Sequence, residues 1–139
     1  MLRVVLDANV FVSAAIRPAG PPGQVIERFL RAEAFQLILS TAIVEETLRA
    51  LAYPKVRRFL RGTVPAEAWF EDLVVLADLV SGATKIGRVC EDPDDDKYLA
   101  AALEGRASVV VTGDQKLLAV VEYEGVRVFP PRRLLEMLG

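Results

Sequence analysis

The chain has 139 residues, 53% hydrophobic and 26% charged, with a formal charge of −2 from 17 Lys and Arg against 19 Asp and Glu. That supplies enough apolar material for one compact domain over residues 1–139, and too little charge imbalance to point to a partner. There is no histidine and one cysteine, Cys90, which excludes a Ser/His triad, a nitrogen-ligated zinc site, an internal disulfide and a thiolate metal cluster.

In chain order, Arg3-Val4-Val5-Leu6 reads as a buried strand that empties into Asp7, with Asn9 two positions on. In open α/β sheets, ligands bind at the carboxyl ends of strands. Ala8–Ile16 is short and apolar, and residues 17–23, Arg-Pro-Ala-Gly-Pro-Pro-Gly, predict a surface loop. A helix follows over Gln24–Ala34 and a second buried strand over Phe35–Leu39. Ser40 is placed to cap a helix over Thr41–Tyr53 that carries Glu45 and Glu46 and ends at Pro54.

Lys55–Arg61 gathers Lys55, Arg57, Arg58 and Arg61 around Val56, Phe59 and Leu60, the best basic patch in the chain. Pro65–Leu79 predicts another helix and Thr84–Ile86 a short edge strand. The acidic run Glu91–Asp96 opens a helix that reaches Leu103 and stops at Gly105. Val109–Val111 is a strand ending on Thr112-Gly113-Asp114, followed by a helix over Lys116–Val121, a strand over Val126–Val128 and a helix over Pro131–Leu138. This alternation predicts the α/β class, a three-layer α/β/α sandwich with a mainly parallel central sheet. No apolar run approaches the roughly 20 uncharged residues of a membrane span, and Arg3 and Asp7 interrupt any signal peptide. The expectation is a cytoplasmic protein with no membrane contact.

Asp7 and Asp114 each follow a strand and precede a helix, where an N-cap is the plain reading of either alone. In the acidic run, Asp92 before Pro93 looks like a cap. Asp96 stands three, four and seven residues before Leu99, Ala100 and Leu103, taken as the inward stripe; Asp95 falls at its border and Asp94 well off it. Glu45 and Glu46 flank the apolar face of their helix at nearly equal angles, so periodicity does not choose between them. Several carboxylates in one pocket repel unless cations neutralise them. Hard divalent ions, Mg²⁺ or Mn²⁺, do so, and the chemistry that fits such a site is in-line phosphodiester hydrolysis.

Four stretches, Val5–Ser13, Ser40–Lys55, Asp92–Ala102 and Val111–Leu118, resemble in the right order the motifs of PIN-domain proteins. The resemblance covers nearly the whole chain. It implies a PIN-like sandwich and a Mg²⁺- or Mn²⁺-dependent endoribonuclease acting on single-stranded RNA, similar to the toxin half of VapC-type toxin-antitoxin pairs. It implies Asp7, Glu46, Asp96 and Asp114 as the catalytic and metal-binding acids, and so chooses Glu46 where the helical wheel did not. Asn9 and Thr112 are the implied supporting residues, and Asp95 the substitute for Asp96, since three acids run together here. Arg57, Arg58 and Arg61 are the expected RNA contacts. An antitoxin protein and a homodimer or higher homo-oligomer are the expected partners, with Phe59, Trp69 and Phe70 as apolar cover for one of them. The rival reading is a catalytically silent module of the same fold that binds RNA or an antitoxin. A phosphotransferase using Asp7 as nucleophile is disfavoured, because Asn9 stands where a second acid usually serves.

Overall fold

The computed structural model describes residues 1–60 and 64–139. In chain order these form β1 (Arg3–Leu6), α1 (Ala8–Ile16), α2 (Pro21–Ala32), β2 (Gln36–Ser40), α3 (Thr41–Ala52), α4 (Pro54–Arg57), α5 (Ala66–Leu76) and β3 (Asp78–Val80). After a 3-10 turn over Pro93–Asp95 come α6 (Asp96–Glu104), β4 (Val109–Val111), α7 (Gln115–Leu118), β5 (Glu122–Tyr123), β6 (Val126–Phe129) and α8 (Pro131–Leu138).

The strands make one sheet in the order β3-β2-β1-β4-β6-β5, parallel except for β5. Its central strands are apolar at consecutive positions rather than alternately, because both faces are covered: Val4, Val5, Leu6, Leu37, Ile38, Leu39, Val110 and Val111 are all fully buried. The chain steps from β1 through β2 to β3 in one direction, then returns past β1 to β4 and β6. Right-handed crossovers consequently put α1 to α5 on one face and α6 on the other. α6 packs across β1, β2 and β4, while α8 packs against α2. The change of direction falls between β1 and β4, and a crevice outside the carboxyl ends of such a strand pair is where open α/β sheets bind ligands.

Four local expectations change. The edge strand is Asp78–Val80, overlapping the end of the span predicted as helix, and Thr84–Ile86 is not a strand. α5 stops at Leu76, and Asp78–Val80 pairs with Ile38–Ser40. The following segment is tied to α6 instead, the Ser81 and Thr84 amides donating to the Glu104 carboxylate at 2.8 and 3.1 Å. Pro21 and Pro22 are not loop residues but the first turn of α2, where a missing N–H costs nothing. α7 is shorter than expected, and β5 and β6 form a hairpin whose turn, Glu124-Gly125, has positive φ at both residues (48° and 85°), the geometry that matches strand twist. Phe70 offers no apolar cover to a partner. It is fully buried, its ring edge-on to Phe11 with centroids 4.9 Å apart, whereas Phe59 is exposed and Trp69 half-buried.

Candidate functional site

Leu6 pairs with Val111, so Asp7 and Thr112 leave the sheet side by side. The Asp7 amide continues the ladder to the Val111 carbonyl at 2.9 Å. Its carboxylate accepts from the Asn9 amide at 3.1 Å, capping α1, and from the Thr112 hydroxyl at 2.6 Å. Asp7 is 3% exposed and Thr112 fully buried. The Thr112 hydroxyl in turn accepts from the Asp114 amide at 3.0 Å, and the Asp114 carboxylate caps α7 through the Lys116 amide at 3.0 Å. Capping and convergence are therefore one arrangement: each aspartate spends one oxygen on its helix and is linked to the other through Thr112. Asn9 supports Asp7 with its backbone amide, while its own side chain is exposed.

On α3 the buried positions are Ile43, Thr47 and Leu51, a stripe turned toward Glu46 and away from the exposed Glu45. Glu46 accepts from the Tyr98 hydroxyl through Oε1 and from Lys97 Nζ through Oε2 at 2.5 Å. Lys97 also reaches the Asp94 carboxylate at 2.9 Å, and the Tyr98 hydroxyl accepts from the Ala8 amide at 3.3 Å. Burial acts to lower the Lys97 pKa, but the Glu46 and Asp94 carboxylates outweigh it and hold the ammonium above its ordinary value. The hydrogen bond from Lys97 holds the Asp94 carboxyl below its own. Burial first, then the charge of Asp7, raises the Tyr98 phenol, which stays a donor. Sequence reasoning gave Lys97 and Tyr98 no role. The Asp94 to Lys97 spacing of three residues was the available signal.

The acidic run divides differently from the expectation. Asp96 turns back to the preceding loop, accepting from the Cys90 amide at 2.7 Å and from the Val89 amide at 3.3 Å. It is Asp95 that lies within electrostatic reach of Asp7, Glu46 and Asp114. Its Oδ2 is buried without a hydrogen-bond partner among the described residues. Burial, then the charges of Asp114, Asp7, Asp92 and Glu46, push its pKa from 3.8 up to about 6. The physical reason is one of phase. The buried positions of α6 include Tyr98, Leu99 and Ala102, and it is Asp95 that precedes these by three, four and seven residues. Taking Ala100 and Leu103 for core and leaving out Tyr98 rotated the wheel by one residue.

Among the described residues, no group of three or more acidic, cysteine or histidine side chains is placed to hold a metal ion, and Glu46 is engaged by Lys97. In chemical kind the crevice suits a hard divalent ion: its donors are all oxygen, and the bare Oδ2 of Asp95 stands among like charges that a cation would offset. A measurable consequence follows for the metal-free protein. Folded Asp95 keeps its proton to about pH 6, whereas an unfolded aspartate loses it near pH 3.9. Between those values the native state binds more protons, so this residue's contribution to stability falls as pH rises. Metal-free Asp95→Asn should accordingly melt above the unaltered protein at pH 7.5, with the gap closing near pH 4. A gap that does not change with pH would refute the placement.

The basic patch is less free than its sequence promised. Arg57 pairs with Glu67 at 2.8 Å, Arg58 is exposed, and Arg61 lies outside the described residues. α3 runs six residues past Glu46 to Ala52, about 9 Å at 1.5 Å per residue, before α4 begins at Pro54.

A mainly parallel sheet with carboxylates at its switch point defines an acid-lined α/β fold. A family model described as PIN domain matches residues 3–116, and the chain belongs to the PIN domain family. It is 28% identical over 119 residues to the uncharacterized protein MJ1680 of Methanocaldococcus jannaschii, covering 86% of this chain and 75% of that one. Two solved structures share the fold. One is VapBC2 from Rickettsia felis bound to a DNA fragment from their promoter, with a TM-score of 0.60 at 11% identity over 93% of this chain and 98% of that one. The other is PAE2754 from Pyrobaculum aerophilum, with a TM-score of 0.60 at 19% identity over 99% and 89%. No helix among the described residues is long and apolar enough to cross a membrane.

Proposed function

We propose that the protein is a divalent-metal-dependent endoribonuclease that hydrolyses phosphodiester bonds of single-stranded RNA, and that it works in the cytoplasm as the toxin of a toxin-antitoxin pair. One observation carries the chemistry: a buried carboxylate oxygen on Asp95 without a partner among the described residues, within electrostatic reach of Asp114, Asp7 and Glu46. Membership of the PIN domain family supports the nuclease reading, and the fold shared with the VapBC2 complex supports an antitoxin partner. Exposed Phe59 and half-buried Trp69 supply apolar surface for that partner or for a second copy of the chain.

In this proposal Asp7, Glu46, Asp95 and Asp114 hold Mg²⁺ or Mn²⁺, which when bound neutralises phosphate charge and activates water. The other roles belong to the chain's own groups. Thr112 fixes the orientation of Asp7 by donating its hydroxyl proton, and spaces Asp114 by accepting its amide. Tyr98 holds Glu46 beside the start of α1. Lys97 keeps a positive charge next to Glu46 and Asp94, where an incoming phosphate would otherwise meet only acids. With Mn²⁺ the purified protein should cleave single-stranded RNA, EDTA should stop it, and Asp7→Asn prepared in parallel should be inactive. Equal cleavage by the variant overturns the proposal; RNA retention without turnover in any divalent metal favours a silent binding module instead.

A further inference from the structure

A second cationic surface runs along β6 toward the carboxylates: Arg127 lies in register with Val109, two residues short of the carboxyl end of the sheet, and Arg133 follows that end in α8. β6 pairs in parallel with β4, Val111 opposite Phe129, and the Thr112 amide donates to the Phe129 carbonyl at 3.2 Å. The chain therefore enters α8 about one strand spacing, roughly 4.8 Å, from the point where Thr112 turns toward Asp114. Phe129 is buried, and two guanidiniums lie over its ring: Arg127 at 5.6 Å and Arg133 at 5.0 Å from the centroid. Arg132 adjoins them in sequence, and all three arginines are exposed.

No ion pair engages any of the three among the described residues, although Glu122 stands opposite Arg127 in the hairpin register and Glu136 follows Arg132 by one turn. Two guanidiniums gathered on one ring repel each other, and solvent and salt screen that repulsion only in part. Polyanion phosphates between them would reverse its sign. α4 is the weaker candidate on both counts, since Arg57 already has Glu67 and the helix lies beyond the far end of α3 from the crevice.

Resting on the nuclease reading above, we propose that Arg127 and Arg133, stacked on Phe129 with Arg132 beside them, grip the phosphate backbone of the single-stranded RNA and lead it across β6 to the carboxylates. The test is binding of a fluorescein-labelled oligouridylate to the full chain in EDTA, followed through a series of salt concentrations. Arg127→Gln/Arg133→Gln should weaken binding about tenfold at low salt and flatten the log–log salt slope by about 1.4, which is about 0.7 for each phosphate that is no longer neutralised. Arg133→Gln alone should flatten it by about half as much. Arg127→Lys/Arg133→Lys, which keeps the charge, should retain the slope, as should Arg57→Gln/Arg58→Gln. Thermal unfolding of each variant separates weakened RNA binding from a damaged fold.

If the folded glutamine variants keep the full slope while the unaltered protein cleaves RNA in Mn²⁺, this surface is wrong and the nuclease reading stands. An arginine-dependent slope in a protein that never cleaves supports the surface and removes the nuclease reading. A slope that flattens only in the Arg57/Arg58 variant overturns the surface in favour of α4.

Discussion

Replacing Asp95 with asparagine should reduce Mn²⁺-dependent RNA cleavage on the order of 10³-fold, while Asp96→Asn keeps kcat within about twofold. The two residues are adjacent and chemically identical, so only geometry separates them. Asp95 has a buried oxygen with no hydrogen-bond partner among the described residues and a carboxyl destabilised as an anion by burial and by Asp114 and Asp7, the state of a group prepared for a cation. Asp96 is already satisfied by the Cys90 and Val89 amides. Its asparagine variant retains one acceptor and loses charge assistance, a stability cost of about 1 kcal/mol with no direct effect on chemistry. Steady-state rates with single-stranded RNA, taken below both melting temperatures, read the difference. The reverse pattern, Asp96→Asn inactive and Asp95→Asn active, would reject the assignment.

The second large effect concerns stability. Gly23→Ala should lower it by about 3 kcal/mol, because a side chain forced into a packed site must displace its neighbours. In Tm this is about 10 °C for a chain of this size. A Cβ built at Gly23 would lie 1.9 Å from the Pro18 carbonyl oxygen and 2.4 Å from its carbon. Both atoms are backbone and cannot rotate aside. The segment is also bracketed, Arg17 donating to Ser13 at 2.8 Å, Gly20 to Arg17 at 3.0 Å and Gln24 to Gly20 at 2.9 Å. Gly87, whose added Cβ meets nothing within 4 Å, is the control, with an expected change within about 0.5 kcal/mol. Calorimetry of the two variants decides: equal melting points would mean that the α1 to α2 connection yields freely.

The sheet and its order of elements were legible in the sequence because its signals are redundant. Val4–Leu6, Leu37–Leu39 and Val109–Val111 are apolar at every position, and each is followed within three residues by a polar residue that caps a helix. The errors cluster where a single residue carries the signal. Asp78 and Leu79 looked like the tail of a helix because a strand of three residues is too short to show a period, and only the open edge of β2 makes Asp78–Val80 a strand. Pro21 and Pro22 served equally as loop or helix-start residues until the packing of α2 on α1 decided.

The placement of carboxylates past strand ends was legible at Asp7, which directly follows β1, and at Asp114, three residues beyond β4. The position of Asp95 was not, because a 3-10 turn precedes α6 and the choice hangs on counting Tyr98 as core. Glu46 came from family resemblance; in the structure it is held by Tyr98 and Lys97, while Glu45 faces solvent. Lys97 and Tyr98 were missed because their work is done across α3 and α6, a contact that one-dimensional spacing does not contain.

Anomalous scattering from crystals of the unaltered protein grown with Mn²⁺ tests the central claim most directly, since it locates the ion without reference to turnover. A peak about 2.1 Å from carboxylate oxygens of Asp95 and of Asp7 or Asp114, with Lys97 displaced from Glu46 or still beside it, is the expected result. A peak bound by Asp96 near the Val89 and Cys90 amides, or no peak between β1 and β4 at saturating Mn²⁺, would contradict it.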